Sequence, residues 1–257
     1  MTRDTQPTQE PLETSLLTAE KLLRWRHRDG KSPSIASPKG VVLTHQGRLA
    51  GNLAPRWGRK TYRGLSAELV TLPRSSGAVA ISRGLAVGGP AVAIFVEELA
   101  VYGVRAIIGV DIAGSLDEKL RSGSVAVIET ALVGDGTSPH YAAGSAMVTP
   151  DADLSAGLQA ALRTQGLDFS TASVWSTDAP FRETPTEIRR FRDQGASLVD
   201  METAALFASA GALGITAASV LIVADELFDG WRPPSDMTGI QSRLGRAALA
   251  AVECLRT

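Results

Sequence analysis

Along this chain, short unbroken apolar runs alternate with longer stretches in which apolar residues return every third or fourth position. The first kind predicts buried strands, the second helices that bury one face. Leu16 to His27 predicts a helix, stopped by Gly30 and Pro33. Val41 to Leu43 predicts a strand that enters the polar turn Thr44-His45-Gln46-Gly47-Arg48 and then a brief helix. Ala67 to Leu72 and Ala78 to Ile81 predict two strands joined by a hairpin turn, Pro73 to Gly77. The Gly-rich loop Gly84 to Pro90 opens a helix over Ala91 to Tyr102, with Pro90 in its first turn and Val92, Phe95, Val96 and Leu99 on one face. Strands follow at Val104 to Val110, Ser124 to Val133, Thr171 to Trp175 and Thr216 to Val223. Helices are predicted at Asp151 to Thr164, capped by Asp151, at Thr184 to Gln194, and at Met237 to Leu255. Ser197 to Val199 predicts a short strand running straight into a helix from Thr203 onward. No repeat or low-complexity linker breaks the alternation. The expectation is one α/β domain over 15–257, with a mixed central β-sheet flanked by helices, behind a disordered polar tail at 1–14.

Composition narrows the setting. A length of 257 residues suffices for one large domain with a sizeable core. A formal charge of −1 offers no basic surface for nucleic acid or an anionic membrane. The single cysteine, Cys254, excludes an internal disulfide framework and fits a reducing, cytoplasmic compartment. No apolar run is long enough to span a bilayer, and the polar N-terminus is unlike a signal peptide. No spacing of histidines, cysteines or acids suggests a metal site, and no cofactor is implied. Of the histidines, His27 and His140 read as surface or supporting groups; only His45, in the turn after the first strand, is placed near a site.

Candidate chemistry gathers where strands end, because α/β folds place ligands there. Val110/Asp111, Trp175/Ser176, Val199/Asp200 and Val223/Asp225 are such ends. In Val199-Asp200-Met201-Glu202, an extended backbone sends the two acids to one side and Met201 to the other; a helix beginning at Asp200 changes that. An acid at this junction either caps the helix or faces a ligand at the mouth of the sheet. Asp225 follows a wholly apolar run, so its surroundings should raise its pKa and let it carry a proton; the alternative is a turn cap.

The run V-D-M-E-T-A-A-L-F-A at 199–208 resembles the motif of the nucleoside phosphorylase/nucleosidase superfamily. Other stretches resemble that family in the same order: Gly103 to Val133, D-G-T-S-x-H-Y at Asp135 to Tyr141, Trp175 to Pro185, and Val223-Ala224-Asp225, which matches the purine-specific branch. The resemblance implies a nucleoside phosphorylase-like fold with a partly barrel-like sheet, and a homo-oligomer, either a dimer or a trimer of dimers. It implies a small-molecule nucleoside as partner. Met201 would pack on the sugar, Glu202 would accept hydrogen bonds from the ribose diol, and Phe181 would border the base. Asp225 would protonate N7 of the departing purine, and Asp200, Thr177, Ala113 and Gly114 would complete the substrate site.

The departures from the family concern phosphate. The family's early G-D-P-x-R turn reads Thr44 to Arg48 here, and only Arg48 matches. Its R-V-G-[ST]-x-G segment reads Gly109 to Gly114, so Gly109 stands for the arginine, Asp111 for the glycine and Ile112 for the hydroxyl. Arg63 is the candidate for the family's third arginine. Arg48, Arg63 and His45 would be the remnant of a phosphate site. An anion site needs charge-assisted donors, and an added carboxylate opposes it. The expectation is therefore hydrolysis of a purine-type nucleoside. The alternatives are a phosphorylase with a rebuilt phosphate site and a nucleoside-binding protein without catalysis. Asp111 has two readings: it pairs with Arg48, or it holds and deprotonates a water.

Overall fold

A computed structural model describes residues 15–28, 37–57, 60–72 and 78–256. The tail at 1–14, the helix stop at Gly30 and Pro33, and the hairpin turn Pro73 to Gly77 lie outside the described residues.

The sheet is organised around β5 (Ala106–Ser115). Its first four residues run parallel to β1 (Gly40–Leu43), and nearly its whole length runs parallel to β10 (Thr216–Glu226). Its last two residues pair antiparallel with β9 (Leu198–Asp200), Gly114 opposite Val199 and Ser115 opposite Leu198. On its other edge β10 pairs antiparallel with β6 (Val125–Gly134), β6 runs parallel to β8 (Ser170–Thr177), and β8 parallel to β9. These five strands close a ring, which makes the mixed sheet partly barrel-like. Beyond β1 the sheet continues as an open wing through β4 (Val79–Arg83), β3 (Glu68–Thr71) and β2 (Lys60–Tyr62). A two-residue strand, β7 (Met147–Val148), pairs with β6.

Helices cover both faces. On one face α3 (Gly89–Val101) and α6 (Thr203–Ala212) bury Phe95, Val96, Leu99 and Leu206 against Ile107 and Leu221. On the other, α2 (Gly47–Trp57), α4 (Ala152–Thr164) and α7 (Met237–Cys254) bury Leu49, Leu158, Leu244 and Ala251 against Ile108 and Val220. Ile107 and Ile108 are neighbours on β5 that feed opposite faces, as a period of two requires. A smaller cluster packs Trp175 on Phe191 of α5 (Pro185–Asp193), rings stacked at 4.2 Å. A short helix, α1 (Ala19–Arg26), is tied to α3 by Arg26 and the buried Glu98, 2.8 Å apart. The predicted cap forms, Asp151 accepting from the Leu154 N–H at 2.8 Å, and Thr184 caps α5 in the same way, accepting from the Glu187 N–H at 3.3 Å.

Two differences from the sequence reading matter for the site. Asp111 to Ser115 lie within β5, not in a loop after it, because β10 continues alongside through Val223 and β9 takes over at Gly114. The backbone there is satisfied by strands remote in sequence, so a polar residue such as Asp111 does not end the strand. β10 likewise runs on to Glu226, past the predicted end at Val223. β2 and β7 are too short to leave a periodic signal.

Candidate active site

At the far ends of β5, β9 and β10 a cavity of about 690 Å³ opens, where ligands of α/β folds sit. The turn after β1, the loop before α3 and the segment after β8 close it.

One end is built around Asp111. Its Oδ2 accepts the backbone N–H of His45 at 2.7 Å and lies 2.8 Å from His45 Nδ1. Its Oδ1 accepts from Gln46 Nε2 at 2.8 Å and from the Ile112 N–H at 3.0 Å. The His45 side chain is 5% exposed, and its other ring nitrogen, Nε2, is buried without a protein partner. Burial lowers the proton affinity of His45, but the Asp111 bond and the charges of Asp111, Glu202 and Asp200 outweigh it, so its pKa is raised. The partner of Asp111 is thus the His45-Gln46 turn. The pairing of Asp111 with Arg48 is corrected: Arg48 is exposed in the first turn of α2, while Leu49 and Ala50 beside it turn into the core. Arg63 is also apart from the cavity, 79% exposed and bonded to Glu68 at 2.7 Å. At Gly109, where the resemblance puts an arginine, an added Cβ would meet Leu206 and Ser219 at 3.1 and 3.2 Å, so that position faces packed core.

Next along the wall comes the β9–α6 junction. Asp200 is buried; it accepts from Ser176 Oγ at 2.6 Å, from the Thr203 N–H at 3.0 Å, and from the Thr203 hydroxyl. Ser176 Oγ in turn accepts the Ala204 N–H at 2.9 Å. Asp200 therefore anchors the first residue of α6 from two positions before the cap residue Glu202, with its carboxyl consumed by the helix start although its residue touches the cavity. Burial raises its pKa against the pull of these donors. Glu202 reaches across to the Gly-rich loop, where Oε1 accepts the Gly88 N–H at 2.7 Å, and Oε2 accepts from Met201 at 3.1 Å. Burial, reinforced by Asp200 and Asp111 and opposed by His45 and the Gly88 bond, pushes Glu202 up to about 7. The structure separates the two acids: one holds the helix, the other faces the cavity.

The opposite end carries Asp225, whose Oδ2 accepts the Trp231 indole N–H at 2.9 Å. Glu183 stands in the same wall, pushed up to about 7 by burial and by the charges of Asp225 and Glu187. Gly114 leaves room here: an added Cβ would lie 2.5 Å from the tip of the Leu227 side chain and 3.5 Å from Asp225 Oδ1. Phe181, in the short 3-10 turn Pro180–Arg182, is 99% exposed at the rim, and Trp231 is 67% exposed. Ala113, Gly114, Val199, Met201 and Leu227 form an apolar middle between the two ends. Thr177 is buried outside the cavity, with Oγ1 accepting the Ala179 N–H at 3.2 Å. The D-G-T-S loop is also supporting structure: Asp135 accepts from the N–H groups of Thr137 and Ser138 and from the Ser138 hydroxyl.

Sequence reasoning missed Glu183, Gln46 and Trp231 as lining residues. Glu183 had one signal, its position two residues after Phe181 in the stretch that resembles the family. Gln46 and Trp231 had none, since their partners Asp111 and Asp225 are chosen by folding. Among the described residues no cluster of His, Cys, Asp and Glu is arranged to hold a metal, and no helix is long and apolar enough to cross a membrane.

Comparison with known proteins sets this cavity in context. The DeoD-type purine nucleoside phosphorylase of Bacillus cereus (strain B4264) is 30% identical over 156 residues, which are 60% of this chain and 66% of that protein. The chain thus spans just under two thirds of that relative's length. Among solved structures, purine nucleoside phosphorylase from Toxoplasma gondii, in complex with immucillin-H, superposes with a TM-score of 0.74 at 18% identity, over 86% of this chain and 92% of that one. AMP nucleosidase from Bacteroides thetaiotaomicron gives 0.73 at 20% identity, over 93% and 98%. At these identities the two structures show the shared fold. The expectation of hydrolysis is corrected by the Bacillus relatives, which are phosphorylases. Gly109 and Ile112 lack the donors of the family pattern, but the donors of a phosphate site need not stand at the same positions. The family model of the phosphorylase superfamily matches residues 49–257, which carry every strand of the cavity wall except β1, and the chain belongs to that superfamily.

Proposed function

We propose that the chain is a phosphate-dependent nucleoside phosphorylase acting on a purine-type nucleoside. The observation that carries this reading is the division of one cavity into two charged ends. His45, Asp111, Asp200 and Glu202 act on one another at one end, and Glu183 and Asp225 at the other, with apolar wall between. Cleaving an N-glycosidic bond builds positive charge on the sugar and negative charge on the base. Glu202 accepts from the ribose diol and fixes the sugar carbon; Met201 packs on the ribose. A proton held at the Glu183–Asp225 end neutralises the leaving base. A phosphate oxygen bonds the sugar carbon as the bond to the base nitrogen breaks, giving sugar 1-phosphate and free base.

His45 is the phosphate donor in this reading. Asp111 raises the proton affinity of His45, whose ring lines the cavity and whose second nitrogen has no protein partner, so the ring can take the place of the arginine absent at Gly109. Raised proton affinity at Asp200 and Glu202 reduces the negative charge that an incoming phosphate meets. The relatives' phosphorylase names support phosphate as the acceptor. The exposed apolar rim of Val87, Phe181 and Trp231 supports a homo-oligomer that covers the mouth, and the lone cysteine fits a cytoplasmic setting. The test is base release from a purine nucleoside against added phosphate. A saturable dependence, with sugar 1-phosphate as product, is expected; base release at full rate without phosphate would overturn the proposal.

A further inference from the structure

The two carboxyls at the base end are not equivalent. Asp225 at the end of β10 has Oδ2 engaged by the Trp231 indole, while Oδ1 looks toward Gly114, whose missing side chain leaves it clear. Glu183 comes from a different wall, after the turn that follows β8, and among the described residues its carboxyl has no hydrogen bond or ion pair. Burial, and after it the charges of Asp225 of β10 and Glu187 of α5, push it up to about 7, so on the acid side of neutrality it carries a proton. The cavity thus offers an O–H donor on Glu183 beside an open acceptor oxygen on Asp225.

Purines differ at the edge that carries N7. A 6-aminopurine presents an acceptor, N7, next to an N6–H donor; a 6-oxopurine presents two acceptors, N7 and O6. A donor–acceptor pair matches the first edge. Against the second, the Asp225 oxygen faces O6, acceptor against acceptor, and both stay unsatisfied. We propose that Glu183 and Asp225 together select 6-aminopurine nucleosides over 6-oxopurine ones, Glu183 donating to N7 and Asp225 accepting from the exocyclic amine. The proposal rests on the purine nucleoside reading above and moves the transferred proton to Glu183. As the glycosidic bond breaks, its electron pair stays with the base, the Glu183 proton passes to N7, and the carboxylate left behind is reprotonated from solvent.

Binding of free adenine and hypoxanthine, measured by calorimetry on the full chain without phosphate, tests this independently of turnover. At pH 6 adenine should bind roughly 10- to 100-fold more tightly, the discrimination a matched pair of base contacts supplies. The preference should shrink by pH 8.5, as Glu183 loses its proton. Glu183→Gln keeps a donor at every pH and should hold the preference at pH 8.5. Glu183→Ala should lose it at both. Asp225→Asn adds an N–H that faces O6 and should raise hypoxanthine affinity. Equal affinities in the parent at pH 6, or an adenine preference untouched by Glu183→Ala in a variant that melts like the parent, would overturn the proposal. Base release that ignores phosphate, with the adenine preference intact, would overturn the acceptor reading and leave this one standing.

Discussion

Asp111→Asn removes one negative charge from the end of the cavity without changing the shape of the side chain. Asp111 has four donors around it: the His45 N–H at 2.7 Å, His45 Nδ1 at 2.8 Å, Gln46 Nε2 at 2.8 Å and the Ile112 N–H at 3.0 Å. An asparagine oxygen can still take the two His45 donors, and the Gln46 amide can turn over to face the new NH₂. What is lost is the acceptor of the Ile112 N–H and the charge assistance of the rest, together about 1–3 kcal/mol. Asp111 is also the main support of the raised His45 pKa; without it burial is opposed only by Glu202 and Asp200, and the imidazole gives up its proton at lower pH. A neutral ring donates more weakly to phosphate, so the KM for phosphate should rise roughly 10- to 100-fold at pH 6.5, with the KM for nucleoside little changed. Stability gives the second readout. A histidine whose folded pKa is raised contributes stability that is full below its unfolded pKa near 6.5 and is lost as pH rises through the folded value. The variant should therefore melt about 2–8 °C below the parent at pH 5.5, with the gap narrowing at pH 8.5. Arg48→Met is the control and should melt like the parent, since Arg48 is exposed and outside the cavity. A phosphate KM within twofold of the parent in Asp111→Asn, or an equal loss in Arg48→Met, would refute the assignment of His45 as the cation of this site.

Three further outcomes follow from the same geometry. Glu202→Gln should weaken nucleoside binding at least tenfold by calorimetry, yet melt about 5 °C above the parent at pH 8. The reason is that a carboxyl held at about 7 costs stability as pH rises from its ordinary range through that value; the gain should vanish near pH 4.5, and equal melting at all pH values would contradict it. Asp200→Ala takes the anchor from the start of α6 and leaves the Thr203 N–H and the Ser176 hydroxyl short of an acceptor, so unfolding by urea should show a loss of about 2–4 kcal/mol; a variant as stable as the parent would show that the anchor is dispensable. Gly114→Ala puts a methyl 2.5 Å from the tip of the Leu227 side chain, which must turn to another place in the cavity wall, and base release should fall several-fold with the fold retained; full activity would show that this wall is free to move.

Much of the architecture was legible in the sequence because it rests on local rules. Helical period alone predicts α3 and α7, Asp151 announces α4 as its cap, and the junction at Val199 to Glu202 is a strand meeting a helix in both accounts. The partly barrel-like sheet came with the family resemblance, since no local pattern states which strands close a ring. Side-chain partners are another matter, because each is chosen by contacts across the fold. Asp111 reads equally well beside Arg48 or beside water, and its real partners lie 66 and 65 positions away in sequence at His45 and Gln46. Asp200 and Glu202 are alike on paper; they part company because Ser176, 24 positions from Asp200, and Gly88, 114 positions from Glu202, stand on different sides of the junction. The raised proton affinity of Glu183 arises only when folding buries its turn beside Asp225. The sequence determined the elements, whose signals span one or two turns of chain, and tertiary structure decided the chemistry, because burial and neighbouring charge set what each carboxyl does, and both are properties of the folded neighbourhood.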